Sequence, residues 1–205
     1  MPNENPIVKK TFVKRENPQD PFRIYNVLNF WNKKEIEIAH KIISGKGVFK
    51  KTSSSGSENL DKKIADSEYG FKNFCLQDNP VDSVRKQIDK LSNDMIKWAE
   101  KVDMKLEVFY TIGNWFFYGD YSTAHVDSKS ADYTGIAYIN PVWNFNHGSG
   151  TLIFEDNPQY LAYCAFPTPG SFVLFPSNMY HKAVPPEKMN NEGRLSITFQ
   201  FKLRE

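Results

Sequence analysis

A mainly β chain with flanking helices (α+β) is the fold class this sequence predicts, and three observations predict it. From Lys105 onward, short segments of alternating apolar residues follow one another between Gly, Pro, Asn and Asp turns. Ahead of them stand two segments with apolar residues at helical spacing. No apolar run approaches the length of a bilayer span. About eight strands of this length suit a double-stranded β-helix, a cupin-like jelly roll whose mouth takes ligands, with N-terminal helices bracing its larger sheet.

The elements are placed as follows. After a Pro- and Asn-rich lead-in to about Pro21, Asn32-Lys33-Lys34-Glu35 has the residue types of a capping box, and Ile36, Ala39, Ile42 and Ile43 recur at helical spacing. This predicts a helix from Lys33 to about Ser44. The small, polar stretch 50–59 reads as a surface loop, with a lid as the sharper alternative. Past Pro80, with Asp82 as N-cap, Val84, Ile88, Leu91, Met95, Trp98 and Val102 form one apolar stripe suited to covering a sheet. The strands are expected at Leu106 to Ile112, Trp115 to Tyr118, Tyr133 to Ile139, Thr151 to Phe154, Tyr160 to Ala165, Ser171 to Phe175, Lys182 to Val184 and Arg194 to Phe201. With no internal repeat, 1–205 reads as a single domain. Residues 1–104 form an N-terminal extension packing on the barrel, and 105–205 form the β-helix core.

Composition bounds the function. Hydrophobic residues make up 40%, charged residues 24% and the formal net charge is +2, which describes a globular chain without the strong field that nucleic acid requires. Nucleic acid is therefore not the expected partner, nor is a membrane. The first residues, Met1-Pro2-Asn3-Glu4, lack a signal-peptide core, so a cytoplasmic location is expected. Cys75 and Cys164 are too few and too separated for a metal knuckle and read as buried thiols, a disulfide remaining open. The oligomeric state is not legible.

The chemistry centres on His125-Val126-Asp127. In an extended strand residues i and i+2 leave the same face, so His125 and Asp127 can converge on one ion. Alone, the triplet is more often a surface or hydrogen-bonded pair than a ligand set. His181, from a distant segment, completes two imidazoles and one carboxylate, which occupy one face of an octahedral ion and leave positions open. Zinc, manganese and cobalt accept the same ligands. In the last strand, Leu195, Ile197, Phe199 and Phe201 alternate with Arg194, Ser196, Thr198 and Gln200. Arg194 and Ser196 thus share a face, where a guanidinium and a hydroxyl can hold one carboxylate.

With these residues the chain resembles the 2-oxoglutarate and Fe(II)-dependent dioxygenases, in their prolyl-4-hydroxylase-like branch, from about Glu107 to Lys202. His125 and Asp127 match the family's His-x-Asp, and His181 its distal His. Arg194 matches the basic residue that pairs with the co-substrate, and Ser196 its hydroxyl partner. Tyr138, in Ala137-Tyr138-Ile139-Asn140, matches the Tyr of a Tyr-Leu-Asn strand that reaches the same carboxylate. Tyr118 matches a Tyr near the co-substrate, at shorter spacing from His125. Gly148-Ser149-Gly150-Thr151 stands where the family usually has Gly-Gly-x-Thr, with Ser149 in place of one glycine.

The resemblance implies Fe(II), 2-oxoglutarate and O2 as cofactor and co-substrates, with ascorbate as a candidate reductant. It implies oxidative decarboxylation coupled to hydroxylation of an aliphatic C–H, foremost in a prolyl residue of a peptide or protein. A free amino acid or other small molecule is the alternative substrate. A catalytically silent cupin-like metal-binding or sensing module and a zinc hydrolase are rival readings of the same ligands. Phe109, Trp115, Phe117, Leu152, Phe154, Phe172 and Leu174 are candidate apolar walls, and Gly119 to Ala124, Ser128 to Asp132 and Val142 to Ser149 candidate mouth loops. His147 reads as a loop residue and His40 as a structural helix residue.

Overall fold

A computed structural model describes residues 5–13, 22–45, 48–52, 71–75, 81–120, 122–127, 130–155 and 159–204. Two antiparallel sheets face each other. The larger has eight strands and the smaller three. The larger runs β1 (Ile7–Val13), β2 (Phe22–Leu28), β9 (Phe172–Pro176), β6 (Tyr133–Tyr138), β11 (Arg194–Leu203), β5 (Leu106–Phe116), β4 (Phe71–Cys75), β3 (Lys50–Thr52). The smaller orders β10 (His181–Pro186), β7 (Gly148–Phe154) and β8 (Leu161–Ala165). This is the expected jelly roll, with helices on the outer face of its larger sheet.

The capping box at the first helix, α1 (Lys33–Ile43), is present in both directions. Asn32 Oδ1 accepts from the Glu35 amide at 3.0 Å, and Glu35 Oε2 accepts from the Asn32 amide at 3.1 Å. The second helix, α2 (Asp82–Glu100), begins one residue earlier than expected. Val81 is its N-cap and no side chain caps it, so Asp82 instead sits in the first turn, where its charge complements the helix dipole. Val84, Ile88, Leu91, Met95 and Trp98 are buried as the stripe predicts. Both helices close over Tyr25, Val27, Phe172, Leu174, Leu195, Ile197, Phe199 and Phe201 of the larger sheet. The approach is close: a Cβ on Gly135 would stand 2.4 Å from Met95 Cε and 2.9 Å from Phe201.

The structure corrects several expectations. β1 to β4 lie in segments read as lead-in, loop or helical scaffold, and they extend the larger sheet at both edges. β5 is one strand, because Gly113 pairs in register with Ile197 and Phe74 and does not break the ladder. Of the polar stretch 50–59, Lys50–Thr52 is strand, and the rest lies outside the described residues, as does the Cys75 side chain. Cys164 is an exposed free thiol, since β8 is an edge strand and turns that residue to solvent. Among the described residues no helix is long and apolar enough to cross a membrane.

Candidate metal centre and anion pocket

The facing surfaces of the two sheets enclose a cavity of about 360 Å³. Its floor follows from strand register. On β11, Arg194, Ser196, Thr198 and Gln200 point inward, opposite Phe116, Asn114, Ile112 and Tyr110 of β5. Ser196, Thr198 and Gln200 also oppose Tyr138, Ile136 and Thr134 of β6. Thr151 of β7 and His181 and Ala183 of β10 close the other side.

His125, Asp127 and His181 converge at one end, each offering a ligand atom within 4.8 Å of the others. His125 is held by a single β-bridge to His181: each backbone N–H donates to the other's carbonyl, at 3.0 and 2.8 Å. The Asp127 amide donates to the Ser177 carbonyl at 3.1 Å, which brings its carboxylate in beside both rings. His125 Nε2 lies 3.9 Å from Asp127 Oδ1, and His181 Nε2 lies 3.7 Å from Oδ2.

The donor set fits a metal ion. His125 Nδ1 is 3.0 Å from the Thr123 carbonyl and His181 Nδ1 is 3.1 Å from the Met179 carbonyl, so each Nδ1 carries its proton and each Nε2 lone pair is left for an ion. Burial lowers the pKa of His181 from its ordinary value. The neighbouring Asp127 carboxylate opposes that shift and His125 adds to it. The ring is therefore neutral, as a ligand must be. The Thr134 hydroxyl donates to Asp127 Oδ2 and lies 2.9 Å from the Ser177 hydroxyl. These two buried hydroxyls orient the carboxylate, and neither was singled out from sequence. Thr134 lies four residues before Tyr138 on the same strand face, and that periodicity was the available signal.

At the other end Arg194 is 2% exposed. One Nη donates to the Gly150 carbonyl, the guanidinium stacks on Phe116 at 4.9 Å, and Nε has no hydrogen-bond partner. Among the described residues no carboxylate pairs with it. Burial lowers its pKa to about 10, so the cation persists at neutral pH. A buried cation without a counter-charge is expensive, and an entering carboxylate would relieve that cost. Ser196 lines the cavity beside it, and its hydroxyl makes no hydrogen bond to a described residue. Asn140 pins this end of β11. It donates to the Gly193 carbonyl at 2.9 Å and accepts from the Leu195 amide at 2.7 Å, bracketing Arg194.

Other expectations fare differently. Tyr138 is buried and its hydroxyl donates to Thr151 Oγ1 at 2.8 Å; burial raises its pKa to about 12, and Arg194 opposes that shift. It stands behind the cavity wall, through Thr151. Tyr118 is 59% exposed and outside the cavity lining, where Tyr110 stands instead. None of the seven expected apolar walls lines the cavity. Phe172 and Leu174 face the helices and Phe109 faces solvent, because the inward phase of each strand is the opposite one.

Val142 to Ser149 lies at the end of the smaller sheet remote from the metal ligands, since Gly148 pairs with Pro186 and Ile153 with His181. His147 stands in that loop, its Nδ1 accepting from the Asn144 amide, and it is no part of the ligand group. Ser149, the departure from the glycine pattern, has φ of 73°, a conformation glycine adopts more cheaply, and its hydroxyl donates to the Val184 carbonyl.

No family model matches the sequence, and no curated protein matches it. Solved structures do. The chain superposes on a Pseudomonas putida prolyl-4-hydroxylase with a TM-score of 0.62 at 16% identity, covering 87% of this chain and 92% of that one. A Trichoplax adhaerens prolyl hydroxylase, solved with a hypoxia-inducible-factor peptide, gives 0.60 at 16% identity over 83% and 77%. A viral collagen prolyl hydroxylase from Paramecium bursaria Chlorella virus-1, solved with 2-oxoglutarate, gives 0.53 at 12% over 87% and 96%. In architecture the chain is a jelly roll of the prolyl-hydroxylase type.

Proposed function

We propose that this protein is a 2-oxoglutarate- and Fe(II)-dependent dioxygenase that hydroxylates an aliphatic C–H, in a prolyl residue of a peptide or protein. One observation carries the reading: a His-Asp-His cluster that could hold a metal ion and a buried, uncompensated arginine share a single cavity. A passive metal site has no use for the second feature, and neither does a zinc hydrolase. The prolyl preference draws support from the fold neighbours, one of which was solved with a peptide.

His125, Asp127 and His181 would hold the iron, and Arg194 and Ser196 the far carboxylate of 2-oxoglutarate. With O2 as the oxidant, this pair would couple oxidative decarboxylation of 2-oxoglutarate to C–H hydroxylation, one oxygen atom entering succinate and the other the substrate, with carbon dioxide released. The protein's own contribution is placement. Asn140 holds the strand that carries Arg194, and Thr134 with Ser177 orients Asp127. Ile112, Phe116, Val126 and Ile136 keep the walls partly dry, which strengthens the guanidinium's grip on an anion.

Anaerobic addition of Fe(II) and then 2-oxoglutarate will produce a visible metal-to-ligand charge-transfer band, and air with ascorbate will yield succinate. No band and no succinate from the intact protein would sink the reading. Asp127→Ala must lose succinate formation; binding without turnover in the parent protein would instead identify a silent module. Mass spectrometry of a proline-containing peptide library tests the substrate.

A further inference from the structure

The cavity holds more polar groups than an ion and a dicarboxylate require. With the three metal ligands and the Arg194–Ser196 pair assigned, Tyr110, Asn114, Thr198 and Gln200 remain along the same wall. Asn114 Nδ2 donates to Thr198 Oγ1 at 3.3 Å, so these two answer each other. Gln200 is different. It is 8% exposed, it lines the cavity, and its carboxamide makes no hydrogen bond to any described residue. Its amide atoms open onto the cavity and not into packed protein, so they stay free to bond whatever fills it. An unpartnered amide on a largely buried side chain marks a place where a ligand completes the bonding.

Its location narrows the ligand. Gln200 pairs in register with Thr134 on β6, whose hydroxyl holds Asp127, and with Tyr110 on β5. The free amide therefore stands at the metal end of the floor, while Arg194 stands at the opposite end of the same strand row. Among the described lining residues, the ionic groups are the metal ligands and Arg194, each already assigned. What is left there is neutral: hydroxyls, carboxamides and apolar side chains. A free amino acid would bring an ammonium and a carboxylate, each needing an opposite charge on burial. A residue inside a peptide brings only C=O and N–H groups, and a carboxamide matches these with one acceptor and two donors.

We infer that Gln200 is a specificity-determining residue whose carboxamide hydrogen-bonds a neutral peptide group beside the carbon presented to the metal. The cavity then takes an internal peptide residue and turns away a zwitterionic amino acid. This rests on the dioxygenase reading above.

The test uses the full chain loaded with Fe(II) and 2-oxoglutarate. Stimulation of succinate formation is compared between the N-acetyl N-methylamides of the common amino acids, proline included, and the free amino acids themselves. The capped set will contain the responders. If free amino acids stimulate as well or better, or if no capped compound responds, the inference falls. In Gln200→Met, which keeps the length and removes the amide, KM for the responding capped compound rises about tenfold, the loss of one buried hydrogen bond, and kcat changes less. The affinity for 2-oxoglutarate, read from the visible band, stays at its parent value. A weakened co-substrate affinity with unchanged KM would assign the amide to 2-oxoglutarate and overturn the proposal. Absence of the band in the parent protein would fail the dioxygenase reading itself, whereas a normal band with free amino acids as stimulators fails this inference alone.

Discussion

The two faces of β11 are made by neighbouring residues and do opposite work. Leu195, Ile197, Phe199 and Phe201 are fully buried against the helices, an apolar layer that accounts for its own existence by the water it excludes. Arg194, Ser196, Thr198 and Gln200 are nearly as buried, yet each brings a polar group into a cavity where bonds are incomplete or await a ligand. Burial on the first face stabilises. Burial on the second costs stability at Arg194, whose Nε has no partner, and a bound anion would offset that cost. A buried polar row on a strand whose other face is wholly apolar is thus a direct sign of a site.

Substitutions on the two faces should separate these roles. On the helix side, Phe199→Ala will cost about 3–5 kcal/mol of unfolding free energy, seen as a lowered urea midpoint, because it leaves a void beneath α2. On the cavity side, Arg194→Met should leave the unfolding free energy of the ligand-free protein unchanged or raised, since it removes an unpaired buried charge. The same change should weaken 2-oxoglutarate about a hundredfold or more, by titration of the visible band, through loss of charge-assisted bonds of about 3–5 kcal/mol. If Arg194→Met destabilises as much as Phe199→Ala, the contrast between the faces is lost.

Thr134→Val probes the support of Asp127 in its proposed role as a metal ligand. Fe(II) affinity should fall about 10- to 100-fold, while Thr134→Ser restores it, as expected for a hydroxyl that only orients Asp127. Equal behaviour of the two variants would mean that the methyl, not the hydroxyl, matters.

The smallest effect concerns His40 on α1. Its Nε2 is buried without a partner, and burial lowers its pKa below the ordinary histidine value, with Glu192 opposing. The folded form takes up this proton less readily than the unfolded chain. Stability is therefore full above the ordinary histidine pKa and declines as pH falls through it towards the lowered folded-state value. Unfolding followed between pH 7 and pH 5 should show that decline, shallower in His40→Leu.

The same two-faced strand explains what could be read from sequence. α1 announced itself through Asn32 and Glu35, α2 through a stripe that is apolar on one side only, and β11 through strict alternation. β2 shows no alternation, since Ile24 and Asn26 face the cavity side while Tyr25 and Val27 face the helices, and all four are buried. Periodicity has nothing to report there. β3 has three residues, too few for a pattern. The His125–Asp127–His181 group was legible because its chemistry is rare in combination, and the structure brings the three side chains together. The cavity walls were not, because alternation divides a strand into two sets without saying which set faces inward. Phe172 and Leu174 were expected inside, whereas Val173 faces the space between the sheets. Thr134 and Ser177 carry no signal in the sequence, and Asn140 and Gln200 appear there only as members of a motif and of a polar strand face, because ordinary polar residues gain meaning only from what lies across the sheet.

The single bridge between His125 and His181 has a kinetic meaning. The two imidazoles sit on chain segments far apart in sequence whose backbones already clasp each other, so the loop between them is closed by the fold itself. An ion bound there, as proposed, would meet a vice already set to width, and its capture would be limited by shedding water, with little rearrangement of the chain.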